Sequence, residues 1–249
     1  MTAVLALTER VVRSGYRDQD IAFAVLAPML TFVGFTVALR SVIDTGGMSY
    51  PQYVLPAVVV QAMLFGALNT TDRAATEHSS AFGTRLRTLP ISVYAPLLAR
   101  ILYCLLRGVL ALVAAIGVAH FFGFRMDGGF GYGLAFAAMS LTLTLALSLG
   151  AEATGARAKR VDTSSQLLLI PQLLLVLLST GMAPVDSFPG WLHPFVQYQP
   201  ISQITETLRG FAVGHVSGPN LAVSLAWCLG LLVVLGAMAV RSQQRSDEH

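Results

Sequence analysis

Apolar residues fall in blocks of about twenty along this chain, and the charges gather in the short stretches between them. A helix that crosses the hydrocarbon core needs roughly 20 apolar residues at about 1.5 Å rise each. Six blocks meet that length: Ile21 to Leu39, Tyr53 to Thr70, Leu98 to Phe122, Tyr132 to Gly150, Ser165 to Met182, and Leu221 to Val240. The sixth carries no charge, whereas the third contains Arg107. The first exceeds the core of a cleaved signal peptide, about 7–15 residues, so it reads as a retained helix.

Two stretches follow other patterns. Between Ala3 and Arg17, residues Val4, Leu5, Leu7, Val11 and Val12 share one helical face, opposite Glu9, Arg10, Arg13 and Arg17. Such a helix lies in the membrane interface with its cations toward the headgroups. Between Ala183 and Asn220, the prolines at 184, 189, 194, 200 and 219 forbid one long helix. The stretch is nevertheless apolar and aromatic, with Phe188, Trp191, Phe195, Tyr198 and Phe211. After Pro200, residues Ile201, Ile204, Leu208 and Phe211 recur at i, i+3, i+7 and i+10. That spacing predicts a short one-sided helix, of a length that suits re-entrant or interfacial segments.

Composition agrees. Hydrophobic residues make up 55% of the 249 and charged residues only 12%, about half the roughly 25% that a soluble domain uses to solvate its surface. The net charge of +3 does not point to nucleic acid, because the basic residues sit in clusters between apolar blocks, the pattern of membrane topology. Arg10, Arg13, Arg17, Arg73, Arg85, Arg87, Arg100, Arg157, Lys159, Arg160, Arg241 and Arg245 fall on one side of the alternation. Arg40, Arg125 and Arg209 fall on the other. Twelve against three places both termini in the cytoplasm.

The chemistry is mostly one of absences. No GxxxxGK[ST], HExxH or GxSxG occurs, so P-loop nucleotide binding, zinc-protease and serine-hydrolase chemistry lose their usual signals. No Asp or Glu lies well inside a span; Glu152 and Asp162 flank a loop. Ion-coupled transporters place carboxylates at mid-membrane, so ion coupling is disfavoured. Cys104 and Cys228 lie in apolar blocks without metal-ligand spacing, and His120 has no partner ligand. Arg107 either snorkels toward the cytoplasmic surface or pairs with a neighbour. Gln61, Asn69, Gln166 and Gln172 join it as residues that line a pathway or pack between helices. The Gly129–Gly133 pair fits GxxxG. The stretch Asp72 to Pro90, DRAATEHSSAFGTRLRTLP, is the richest cytoplasmic loop.

The chain resembles the permease subunits of type-2 ABC exporters, in particular the daunorubicin-resistance-like branch. The order of elements carries the resemblance, as do DRAATEH followed by RLRTLP and LLAR, and above all FPGWLHPFVQYQPISQITETLRGF from Phe188 to Phe211. It departs from the family in one place: a Glu-rich run after the second span is reduced here to Asp72 and Glu77. The resemblance implies an all-α integral membrane fold of one permease domain, residues 1–249. It would consist of an N-terminal amphipathic interfacial helix (1–20), spans one to five (21–182), an outer re-entrant helical hairpin (183–220), a sixth span (221–240) and a cytoplasmic tail (241–249). It further implies an exporter subunit without its own ATPase site. ATP and Mg would be bound by a separate ATP-binding subunit, alongside a second identical or related permease, in the bacterial cytoplasmic membrane. The cargo would be a drug, lipid or polyketide-like compound. Asp72, Arg73, Glu77, Arg85 and Arg87 would belong to the loop that couples to the ATPase. Phe188, Pro189, Trp191, Pro194, Phe195, Pro200, Glu206 and Arg209 would belong to the outer hairpin. Two other classes stay open: an ion-coupled secondary transporter, and an intramembrane enzyme or scaffold.

Overall fold

The computed structural model describes residues 2–41, 47–80, 92, 94–156 and 161–246. Among these it is helical, with no strand. The helices are α1 (Thr2–Arg17), α2 (Asp20–Leu39), α3 (Tyr50–Ser79), α4 (Tyr94–Phe121), α5 (Gly129–Gly155), α6 (Val161–Leu177), α7 (His193–Tyr198), α8 (Pro200–Val213) and α9 (Gly218–Ser246). Two single 3-10 turns, Val185–Ser187 and Gly190–Leu192, precede α7.

Five described helices, α2, α3, α4, α5 and α9, are long and apolar enough to cross a membrane. The block expected as a fifth span, Ser165 to Met182, differs. Helix α6, Val161–Leu177, has 17 residues and stops inside that block. The chain then turns, with Ser179 Oγ donating to the Val176 carbonyl at 2.7 Å.

Helix α3 is the axis of the bundle. Two-thirds (67%) of its apolar window is buried, against 17% for α9, because α2, α4, α5, α6 and α8 all pack on it. Its run Val54, Leu55, Val58, Val59, Val60 and Met63 is fully inside the core. Helix α9 leans on α5 and α8, and α2 on α4 and α3. Small residues set the closest approaches. A Cβ on Gly155 would lie 2.5 Å from the Thr71 carbonyl oxygen, so only glycine lets α5 cross α3 there. Hydroxyls within the spans mostly close on their own helix: Thr70, Thr71, Ser140, Thr144 and Thr154 each donate to the carbonyl four residues back. Lipid offers no competing partner for them.

Helix α3 also continues past the expected end at Thr70, through DRAATEHS to Ser79. Asp72, Arg73 and Glu77 are therefore helical residues rather than loop residues. Arg85 and Arg87 lie outside the described residues. The one-sided helix expected after Pro200 is α8. Pro200 occupies its first turn, where a missing N–H costs nothing. Ile201, Ile204, Leu208 and Phe211 are all buried. Gly214, at φ 82°, closes the helix in the left-handed region and brings its backbone against Gly128. Gly129 and Gly133 have no close packing of the GxxxG kind: nothing approaches Gly129, and only Met126 Cγ, at 3.9 Å, approaches Gly133.

Candidate functional site

At the end of the bundle where α1 sits, five helices bring arginines and carboxylates together around a cavity of about 480 Å³. Two sets of ion pairs build its wall. In the first, Arg100 Nε on α4 donates to both oxygens of Glu152 on α5, at 2.9 and 2.8 Å. Its Nη1 donates to Glu77 Oε2 at 3.0 Å. Arg10 of α1 lies 3.5 Å from the other Glu77 oxygen. The chain Arg10–Glu77–Arg100–Glu152 thus ties α1, α3, α4 and α5. Arg100 and Glu152 are both buried, and each of the two charges is sustained there only by its partners.

The second set centres on Asp20, the first residue of α2. The Tyr103 hydroxyl donates to it at 2.6 Å and Asn69 Nδ2 at 3.3 Å. Arg73 Nε lies 3.5 Å from Oδ2 and Arg107 Nε 3.2 Å from Oδ1. The Arg107 contact is coulombic, since that N–H lacks hydrogen-bond alignment with any acceptor; Nη1 of the same side chain donates to the Gly66 carbonyl at 3.1 Å. Arg73 also donates to Asp18 at 3.3 Å and lies 5.3 Å from the centre of the Tyr103 ring. An acidic side chain in the first turn of a helix is also favoured by the helix dipole.

Local sequence explains how Asp18 and Asp20 reach the same arginine. Gln19 takes φ 60°, a left-handed turn between α1 and α2 that non-glycine residues enter at a cost of about 1–2 kcal/mol. It folds α1 back along α4. Gly15 lies against Tyr103, and a Cβ there would fall on the Tyr103 hydroxyl.

Arg107 therefore pairs with a neighbour. It also stands between two spaces. On one side is the charged cavity. On the other is a smaller pocket of about 70 Å³ among α2, α3, α4 and α5, lined by Phe23, Pro28, Gln61, Phe65, Gly108 and Thr144 among others. The residues expected along a pathway divide accordingly: Gln61 lines the small pocket, Asn69 the charged cavity and Arg107 both, whereas Gln166 and Gln172, on α6, line neither space.

The opposite end is organised by Arg209. Its guanidinium donates to the Tyr53 carbonyl from Nε and Nη2 at 3.3 and 3.2 Å, and to the Thr180 carbonyl at 3.2 Å. It donates to Glu206 at 2.7 Å and lies 3.9 Å from the centre of the Tyr53 ring. Arg209 thus fastens α8 to α3 and to the turn after α6. Gln199, just ahead of α8, donates to the Leu178 carbonyl and to Ser202 Oγ. Phe188 accepts from His193 Nε2 at 2.8 Å. Trp191, Phe195 and Tyr198 are exposed, Pro189 opens the second 3-10 turn, and Pro194 lies in the first turn of α7. His120 accepts from Arg125 at 3.1 Å, and no cluster of metal-ligating side chains occurs among the described residues.

Sequence reasoning missed Asp20, Tyr103 and Tyr53. Asp20 had a signal, since it directly precedes an apolar block in the place that favours an acid. Tyr53 and Arg209 lie 156 residues apart, and no local pattern links them.

A family model for ABC-2 family transporter proteins matches residues 19–241. The chain is 32% identical over 230 residues to the doxorubicin resistance ABC transporter permease protein DrrB of Mycobacterium tuberculosis, covering 87% of this chain and 80% of that one. It is 26% identical over 252 residues to the probable doxorubicin resistance ABC transporter permease protein DrrC of the same organism, covering 98% and 89%. To the daunorubicin resistance ABC transporter permease protein DrrB1 of Streptomyces coeruleorubidus it is 26% identical over 228 residues, covering 90% and 80%.

Proposed function

The chain belongs to the ABC-2 family of transporter proteins, and on that footing we propose that it is the permease subunit of an ATP-driven exporter of hydrophobic or amphipathic compounds. The observation that carries the reading is the match of the family model to residues 19–241, joined by relatives named as drug-resistance permeases over most of both chains. The chain has no P-loop motif, so ATP and Mg belong to a separate ATP-binding subunit. A second permease, identical or related, completes the complex in a bacterial cytoplasmic membrane.

In this reading both termini are cytoplasmic, supported by the basic bias of twelve to three. Helix α1 lies in the inner interface, supported by its exposed Arg13 and Arg17 and its exposed Tyr16 and Leu5. Helix α6 is a short fifth crossing, and α7 and α8 form the outer re-entrant hairpin, held down by Arg209. The cytoplasmic end of α3 with the residues that follow it, to Pro90, couples the permease to its ATPase. Glu77 and Arg73 transmit that contact to α1, α2 and α4 through their ion pairs.

The test is co-reconstitution of this chain with its ATP-binding subunit in proteoliposomes. ATP-dependent movement of doxorubicin, absent when either protein is omitted, is the expected outcome. Flux that follows a proton or sodium gradient with the permease alone would instead mark a secondary transporter.

A further inference from the structure

Helix α1 lines the charged cavity with Arg10, Val11, Ser14 and Asp18, and so forms one wall over a lining that includes the buried Asp20, Arg100, Cys104 and Glu152. Its hold on the bundle is shallow. It packs along α4 and touches α2, yet among its described residues Gly15 alone is buried. The apolar residues Val4, Leu7, Val11 and Val12 are only partly covered, and an interfacial helix can turn such a face to lipid. Two ion pairs join α1 to α3: Arg10 with Glu77 at 3.5 Å and Asp18 with Arg73 at 3.3 Å. The α1 side chains of these pairs are 48% and 58% exposed, and pairs so open to water add little. Each α3 residue also has a second partner deeper in the bundle. Glu77 is paired with Arg100 at 3.0 Å, and Arg73 lies 3.5 Å from Asp20. Departure of α1 therefore strands no buried charge, the event that makes a broken buried pair costly. The joint is Gln19, whose left-handed φ of 60° is a strained state for a residue with a side chain; a swing of α1 about it can release that strain.

We propose that α1 is a detachable strap on the charged cavity. It swings about Gln19 away from α4, Arg10 and Asp18 exchange their α3 partners for water, and the cavity opens on the side that α1 covered. Glu77 and Arg73 stay with Arg100 and Asp20, so the ends of α3 and α4 keep their places. The strap stands on these contacts and needs no ATPase. Only its purpose rests on the exporter reading, where it ties access to the cavity to the end of α3 that meets the ATP-binding subunit.

Cys104 reports the opening, because it lines the cavity and is buried. The full chain carrying Cys228→Ser is placed in lipid nanodiscs without any ATPase. It is treated with hydroxyethyl methanethiosulfonate, a small, neutral, water-soluble thiol reagent. Intact mass gives the rate at Cys104, and glutathione in parallel corrects for the reagent's own reactivity. Arg10→Gln/Asp18→Asn should raise the rate about five-fold, the combined worth of two exposed pairs, with the thermal midpoint unchanged. Potassium chloride at about 1 M, where the screening length is only about 3 Å, should speed the chain that keeps both pairs to a similar extent and leave the double variant unchanged. Glu9→Gln/Arg13→Gln removes an exposed pair that lies within α1 and should leave the rate as it was. A Cys104 rate insensitive to salt overturns the strap whether or not the double variant folds. An unchanged rate in a monodisperse double variant overturns it too, as does equal acceleration by the Glu9/Arg13 variant. A faster rate accompanied by a lower midpoint also overturns it, since the bundle itself would then be loosening. Because no ATPase is present, failure here leaves the export test standing, and failure of export leaves this result standing.

Discussion

Glu152 shows what a single charge demands inside this bundle. Its side chain is 2% exposed, and among the described residues Arg100 is the cation bonded to it. Removing one member of a buried pair costs about 3–5 kcal/mol, because the other remains desolvated and unmatched. Arg100→Met should therefore lower the thermal midpoint of the nanodisc-embedded chain sharply. Arg100→Met combined with Glu152→Leu should recover most of the loss, since two apolar side chains of similar size need no pairing. A double variant as unstable as the single one would show that Glu77, the other partner of Arg100, carries the stability. Arg209 is a second case with a different chemistry. It satisfies backbone carbonyls of Tyr53 and Thr180 at once, which a lysine's point charge matches poorly. Arg209→Lys should retain insertion but loosen α8 from α3, read as faster hydrogen exchange across residues 200–213.

At the scale of elements, α1 packs along α4, comes closest to it at Gly15, and pairs with α3 through Arg10 and Glu77. Gly15 lies on Tyr103, so Gly15→Val should push α1 away from α4 while leaving the spans in place. The readout is limited trypsin cleavage after Arg13 and Arg17, which should become several-fold faster; an unchanged rate would mean that α1 is fixed by other contacts. Helix α1 was legible because its apolar and basic residues separate cleanly at the helical period, and α8 because Pro200 and four apolar positions mark its start and face. The extension of α3 was not legible. Hydropathy stops at Thr70, and DRAATEHS is polar enough to pass for a loop. The segment is helical because Ala, Glu and Arg favour helix, and because Arg73 and Glu77 find partners on α1, α2 and α4. Those partners are distant in sequence, which is also why Asp20, just ahead of the first apolar block, concealed the hub of a charge network. The shortness of α6 was hidden for the opposite reason. Leu178, Gly181 and Met182 extend its apolar block, but a bonded turn at Ser179 ends the helix.

For the whole molecule, the basic bias predicts the orientation. In a background with Cys104 and Cys228 replaced, an impermeant thiol reagent applied outside should reach Ser187→Cys and Asp127→Cys but not Ser246→Cys. The converse pattern would invert the topology and with it every assignment of inner and outer elements. The orientation in turn decides where force enters. In the proposed reading a permease without a nucleotide site receives it through a cytoplasmic element, and the end of α3 is continuous with the bundle's axis. Glu77 is a poor probe of that contact, because it is bonded to Arg100 and paired with Arg10; Glu77→Ala would disturb the bundle and the docking together. Arg85 and Arg87 separate the two effects. Charged groups at a docking interface cost about 2–5 kcal/mol when a buried partner is lost, but little at a rim. The double variant Arg85→Ala/Arg87→Ala should insert normally and stay monodisperse, because it alters no span. It should nevertheless lose co-purification of the ATP-binding subunit, or retain the subunit while ATP hydrolysis no longer drives export. Full assembly together with full transport would show that the segment is only a connector, and coupling would then have to pass through the shorter stretch between α5 and α6.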